Sequence, residues 1–205
     1  MQTRIKICGI KHLDDALKAV ECGADAIGLI FVEKSPRYAS LTDARLIAES
    51  LPPFVTVVGL FMNPTEEEVR EALKVVPINL LQFHGEESPA FCDQFDTPYI
   101  KVLRMRENVN IIAFAQEYSN ASGILLDTYH EKGGGSGESF DWNLIPEEVS
   151  FPLILAGGLN PENVAAAIEK VKPYAVDVSS GVESGPAVKD HKKIEQFIKE
   201  VQRVG

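Results

Sequence analysis

Short apolar runs rich in β-branched side chains recur along the chain: IKICG from Ile5, AIGLIF from Ala26, VTVVGLF from Val55, LLQFHG from Leu80, YIKVLR from Tyr99, GILLDT from Gly123, PLILAGG from Pro152 and AVDVSSG from Ala175. They are almost continuously hydrophobic instead of alternating, the pattern of parallel strands covered on both faces. Between them, apolar residues at i, i+3, i+4 and i+7 mark amphipathic helices. These are Leu13, Ala16, Leu17, Val20; Ala44, Ile47, Ala48, Leu51; and Val69, Ala72, Leu73, Val76. In the second half they are Ile111, Phe114, Ala115, Tyr118; Val164, Ala167, Ile168, Val171; and Ile194, Phe197, Ile198, Val201. Helices after the fourth and sixth strands rest on the short SPAFCDQF and on DWNLIPEEV, which is interrupted by Pro146. Asn63-Pro64 and Asn160-Pro161 read as helix starts, an acceptor before a proline whose missing N–H is not needed there. Ser40 with Asp43 has the spacing of a capping box.

Strand followed by helix, repeated along the chain, predicts an α/β fold: a single (β/α)8 TIM barrel occupying residues 1–205, near the lower size limit for that architecture. A doubly wound open sheet would carry GxGxxG in its first turn, where this chain reads CGIKHL. A composition of 45% hydrophobic and 24% charged residues excludes disordered and fibrous classes. The net charge of −10 argues against nucleic-acid binding, so any anionic ligand is expected to be held by local geometry. Cys8, Cys22 and Cys92 form no CxxC pair, which fits a reducing cytosol. With no signal-peptide pattern and no apolar run of spanning length, the expectation is a cytoplasmic protein with no membrane partner, its state as monomer or homodimer left open.

In a barrel the C-terminal strand ends and the loops after them build the active site, which makes the polar residues ending each run the candidates. Cys8 ends the first strand; it is either a buried small hydrophobe or a reactive thiol. Asp127 ends the sixth, a turn residue or, beside a dry core, a proton donor. A thiol and a carboxyl at one barrel mouth together point to an acid/base pair. Arg37 in KSPRY is either a solvated loop residue or a clamp for a substrate carboxylate. His84 ends the fourth strand; no spacing supplies partners for a metal, so no metal is expected. AGG ending at Gly158 and SSG ending at Gly181 follow strands seven and eight, where barrels commonly hold phosphate on backbone N–H groups. The loop containing Gly133, Gly134, Gly135 and Gly137 reads as a lid beside Asp127.

The ordered set KICGI, SPRY, QFHG, LLDT, GGSG with FDW, AGGLNPENV and VDVSSGVE resembles the phosphoribosylanthranilate isomerase family of tryptophan biosynthesis, from Ile5 to about Val201. The resemblance implies Cys8 as general base, Asp127 as general acid, Arg37 on the anthranilate carboxylate and His84 lining the pocket. It implies phosphate contacts from Gly157, Gly158, Ser180 and Gly181. The family often reads GGSGKTFDW where residues 134–142 here read GGSGESFDW, so Glu138 replaces a cation. The implied reaction is an Amadori rearrangement of a phosphorylated small molecule without a cofactor. It requires a Cys8 thiol below its ordinary value of about 8.5 and an Asp127 that carries a proton. Two alternatives remain at this level. The analogous isomerase of histidine biosynthesis resembles a two-aspartate arrangement, against which Cys8 argues, and a phosphate-ligand sensor would keep the loops without turnover.

Overall fold

A computed structural model describes residues 2–106, 109–128 and 139–205. Eight parallel strands close into a barrel in sequence order: β1 Arg4–Cys8, β2 Ala26–Ile30, β3 Thr56–Phe61, β4 Leu80–Phe83, β5 Tyr99–Met105, β6 Gly123–Thr128, β7 Leu153–Leu155 and β8 Ala175–Val178. Closure is made where β1 pairs with β8, with Lys6 opposite Asp177. Each of the eight apolar runs is a barrel strand.

The six quartets mark six helices, α1 Leu13–Cys22, α2 Leu41–Ser50, α3 Glu66–Val75, α5 Ile111–Glu117, α6 Val164–Val171 and α7 His191–Val204, with Leu51, Val76 and Tyr118 as the C-cap residues just past α2, α3 and α5. The two weaker segments are short. α4 is only Pro89–Cys92, and the DWNLIPEEV segment holds a 3-10 turn, Trp142–Leu144, rather than an α-helix. Pro146 lies just beyond that turn and cannot donate to a continuing ladder.

Two expected caps are corrected. At α3 the capping box is formed by Thr65 and Glu68. Asn63 instead sits at φ +51° and accepts from the Glu86 amide at 2.7 Å, tying together the loops after β3 and β4. Ser40 accepts from the Asp43 amide at 3.1 Å, but the Asp43 carboxylate takes the Ser40 hydroxyl at 2.6 Å in place of the backbone bond of a full box. Asn160 caps a turn just before α6, accepting from Glu162 and Asn163.

The main core lies between strands and helices, with residues such as Ile7, Leu29, Phe83 and Phe197 fully buried. Inside the barrel, side chains of the other parity form a lower apolar layer that includes Ile100, Val102, Leu125 and Ile154. Above it lie Cys8, Ile30 and Leu60. A short antiparallel hairpin, β9 Glu183–Gly185 and β10 Val188–Lys189, follows β8 and has no counterpart in the apolar pattern. It is held by polar contacts: Lys189 Nζ lies 3.0 Å from Glu183, whose other oxygen accepts from the Ala187 amide at 3.1 Å.

Candidate active site

A cavity of about 210 Å³ opens at the C-terminal ends of the strands and is lined by Cys8, Arg37, His84, Asp127, Gly157, Gly158 and Ser180 among others. Seven of the eight expected acid/base, substrate and phosphate residues outside the glycine-rich loop therefore meet in one space. Gly181 does not line it but packs behind: a Cβ there would run into the Leu159 carbonyl, so only glycine lets the loops after β7 and β8 touch. Gly157 and Gly158 take consecutive left-handed conformations, φ +80° and +67°. Their turn is braced by Asn163, whose amide donates to the Gly158 carbonyl at 2.9 Å. Gly133, Gly134, Gly135, Gly137 and Glu138 lie outside the described residues.

Cys8 ends β1 pointing inward, in room left by Gly28 on β2, where a Cβ would come within 2.7 Å of the sulfur. Burial pushes the Cys8 thiol above its ordinary value; the Lys6 charge opposes this and Asp177 adds to it. Burial thus works against the low thiol value that the implied reaction asks of Cys8, because loss of hydration outweighs the nearby ammonium. Lys6 and Asp177 form a buried ion pair at 2.9 Å directly below.

Asp127 is held on both oxygens. Oδ1 accepts from the Thr128 amide at 2.8 Å, and Oδ2 lies 3.2 Å from His84 Nε2. The other ring nitrogen of His84 lies 3.3 Å from the side-chain nitrogen of Gln82, a fully buried residue whose Oε1 has no partner among the described residues. This arrangement fixes the imidazole with one edge toward Asp127, a closer association than lining the pocket. Arg104 from the end of β5 donates to the His84 carbonyl at 2.9 Å and also lines the cavity.

Arg37 is not solvated. Its Nε and Nη2 donate to the two oxygens of Glu183 at 2.7 and 2.8 Å, a bidentate pair, and Gly9 at φ +75° leaves space for its stem. Burial alone would raise the Glu183 carboxyl, but hydrogen bonding from Arg37 and the charge of Lys189 hold it below the usual carboxylate range. Among the described residues, no three metal-ligating side chains converge.

Lys6, Gln82, Arg104, Asp177 and Glu183 all belong to the site or its supports and were not singled out by sequence. Four of them carried a usable signal, a polar side chain inside an apolar strand run two residues from a strand-end polar residue or at the end itself.

Residues 5–200 match the family model described as N-(5'phosphoribosyl)anthranilate (PRA) isomerase. The chain is 57% identical over 200 residues to the N-(5'-phosphoribosyl)anthranilate isomerase of Pseudomonas fluorescens strain SBW25, covering 97% of this chain and 95% of that one. It is similar to the crystal structure of phosphoribosyl anthranilate isomerase from Thermotoga maritima, with TM-score 0.91 and 47% identity over 98% of this chain and all of that one. A second crystal structure of such an isomerase, in complex with reduced 1-(o-carboxyphenylamino)-1-deoxyribulose 5-phosphate, superposes with TM-score 0.88 at 45% identity, covering 98% of this chain and 100% of that one. Matched over nearly its whole length by the family model and by these relatives, the chain belongs to the N-(5'-phosphoribosyl)anthranilate isomerase family.

Proposed function

We propose that the cavity converts N-(5'-phosphoribosyl)anthranilate into 1-(2-carboxyphenylamino)-1-deoxyribulose 5-phosphate, with Cys8 as base and Asp127 as acid. The observation that carries this reading is the placement of the thiol, the carboxyl and the left-handed glycine turn after β7 on one cavity. Asp127 gives a proton to the ribose ring oxygen; the ring opens to a cationic imine on the substrate's own nitrogen, leaving a hydroxyl at C4. The thiolate of Cys8 then removes the C2 proton, which the imine acidifies by accepting the electron pair. The enolamine tautomerises, its C2 hydroxyl losing a proton as C1 gains one. Cys8 keeps the proton taken from C2 as its resting thiol, and a proton from solvent returns to Asp127, which resets the pair. Burial favours the neutral thiol, so the arriving imine cation has a second role: a positive charge beside the sulfur favours the thiolate, whose proton leaves to solvent.

In this reading the phosphate sits on the backbone N–H groups of Gly157, Gly158, Ser180 and Gly181, and its binding energy holds the reacting carbons in position. Arg37, kept rigid by Glu183, offers its remaining Nη1 to the anthranilate carboxylate. Three free thiols fit a cytoplasmic setting.

The test is chromatographic separation of aminoaldose from aminoketose after incubation with freshly generated phosphoribosylanthranilate, since the isomers share one mass. The expected result is ketose from the wild type and none from Cys8→Ala or Asp127→Asn, both of which keep binding inorganic phosphate. Turnover by either variant removes that residue from its role.

A further inference from the structure

The barrel interior below the cavity is not apolar throughout. Lys6 and Asp177 face one another across the β1–β8 seam, paired at 2.9 Å, and their side chains are only 6% and 9% exposed. A buried ion pair is weak evidence for stability, because desolvating two ions offsets much of their attraction and apolar replacements of similar volume are often as stable. Its position is more informative. Lys6 lies two residues before Cys8 on the same inward face of β1, and Asp177 shares the cavity wall with Cys8. We propose that Lys6, held by Asp177, is the electrostatic partner of Cys8: a positioning pair that sets how readily the thiol becomes a thiolate. The proposal rests on the reading of Cys8 as the base.

The pair works as an oriented dipole. Lys6 stays charged despite burial, because Asp177 and the sulfur both favour its protonated form. Its ammonium favours a thiolate more strongly than the Asp177 carboxylate opposes one. Among the described residues, the other charged groups that act on Cys8 are Lys189 of β10, which also favours the thiolate, and Arg37 of the loop after β2. Both of those cations are bound to Glu183, so their charge is partly cancelled before it reaches the sulfur. Lys6 is on the same strand and its counter-ion is on the next, which makes it the group whose effect on Cys8 a single substitution can unmask. Binding a cationic intermediate beside a thiol with this partner needs less additional field than beside a thiol in an apolar barrel.

The experiment follows alkylation of Cys8 by iodoacetamide against pH, reading the modified Cys8 peptide by mass spectrometry so that Cys22 and Cys92 do not interfere. Asp177→Asn removes the opposing carboxylate and is expected to move the midpoint down; Lys6→Met is expected to move it up by about one pH unit, a tenfold loss of thiolate at fixed pH. Lys6→Met with Asp177→Met should fall between wild type and Lys6→Met, and it keeps the interior charge-balanced if Lys6→Met alone does not fold. A packing role moves none of these midpoints in opposite directions. Coincident midpoints, or a rise in Asp177→Asn, overturn the proposal. An active Cys8→Ala enzyme overturns instead the assignment of the base, whatever the midpoints do.

Discussion

Lys101 offers a direct measure of how firmly the loop carrying His84 is held. It is on β5 but faces outward, beneath the segment that follows β4, and its side chain is 1% exposed. One ammonium serves several partners: Glu87 Oε2 at 2.7 Å, the Gly85 carbonyl at 2.7 Å, the Phe83 carbonyl at 3.4 Å and the face of Tyr118 at 5.5 Å. Glu87 in turn accepts the Gly85 amide and, at 2.7 Å, the Asn63 amide, so the loops after β3 and β4 share this anchor. Lys101→Met keeps the stem volume and removes the charge, leaving the Glu87 carboxylate buried with backbone donors alone. Removing one member of a buried pair costs about 3–5 kcal/mol, and the orphaned carbonyls fall within that range because all depended on the same group. For a protein of this size roughly 2–4 °C is lost per kcal/mol, giving a Tm lower by ~6–20 °C in a calorimetric scan at neutral pH. The loss is a large fraction of a typical stability of about 5–15 kcal/mol. A Tm within a degree of wild type would refute the reasoning, since it requires that the carboxylate finds water or a proton without disturbing the fold.

Other outcomes follow from the site. Gly181→Ala places a methyl against the Leu159 carbonyl, parting the loops after β7 and β8; kcat/KM should fall about 10–100-fold, with inorganic phosphate losing its ability to inhibit. Glu183→Gln releases Arg37 and Lys189 and should raise KM more than it lowers kcat. The folded Glu183 carboxyl lies below its ordinary 4.5, so its stabilisation is present above that value and disappears as pH falls through the lower folded one. The Tm gap between wild type and Glu183→Gln should therefore narrow only below pH 4.5, and a gap constant to strongly acidic pH counts against the pairing. Cys92, fully buried with its thiol pushed up to about 12, should resist iodoacetamide at pH 8 in the native protein while the partly exposed Cys22 reacts.

What the sequence made legible follows from how the barrel is built. Strands buried on both faces must be continuously apolar, and helices lying on them must be apolar at helical spacing, so all eight strands and six of the helices could be read directly. Strand-end position then selected Cys8, His84 and Asp127. The same parity rule, taken one step down each strand, leads from Cys8 to Lys6 and from His84 to Gln82, and Asp177 is the one polar residue within β8: a polar residue inside an apolar run and on the inward face belongs to the site's foundation. The partnership of Arg37 with Glu183 spans 146 positions and joins two loops, so no local pattern announces it. The β9–β10 hairpin is similarly silent, because its pairing depends on Glu183 and Lys189 meeting in space and not on alternation.

The charge pattern bears on how an anion enters a protein of net charge −10. Near Cys8, Lys6 is matched by Asp177, while Arg37 and Lys189 share Glu183, so three cations face two anions and the surplus is small. Such a cluster holds donors in fixed geometry but projects little field, since each dipole fades within a few ångströms of its partner. The phosphate and carboxylate of the proposed substrate would then meet short-range contacts, backbone N–H groups and the free edge of Arg37, after crossing a weakly repulsive exterior. Salt screens that exterior over about 8–10 Å but leaves close, partly buried contacts nearly untouched. Raising ionic strength tenfold should therefore leave kcat/KM within about threefold, or lift it slightly as repulsion is screened. Electrostatic steering of the kind that accelerates association by about tenfold or more collapses under the same change. A fall of that size in kcat/KM, with kcat itself constant, would mean that the mouth projects a positive field and that the paired charges around Cys8 are not its dominant electrostatic feature.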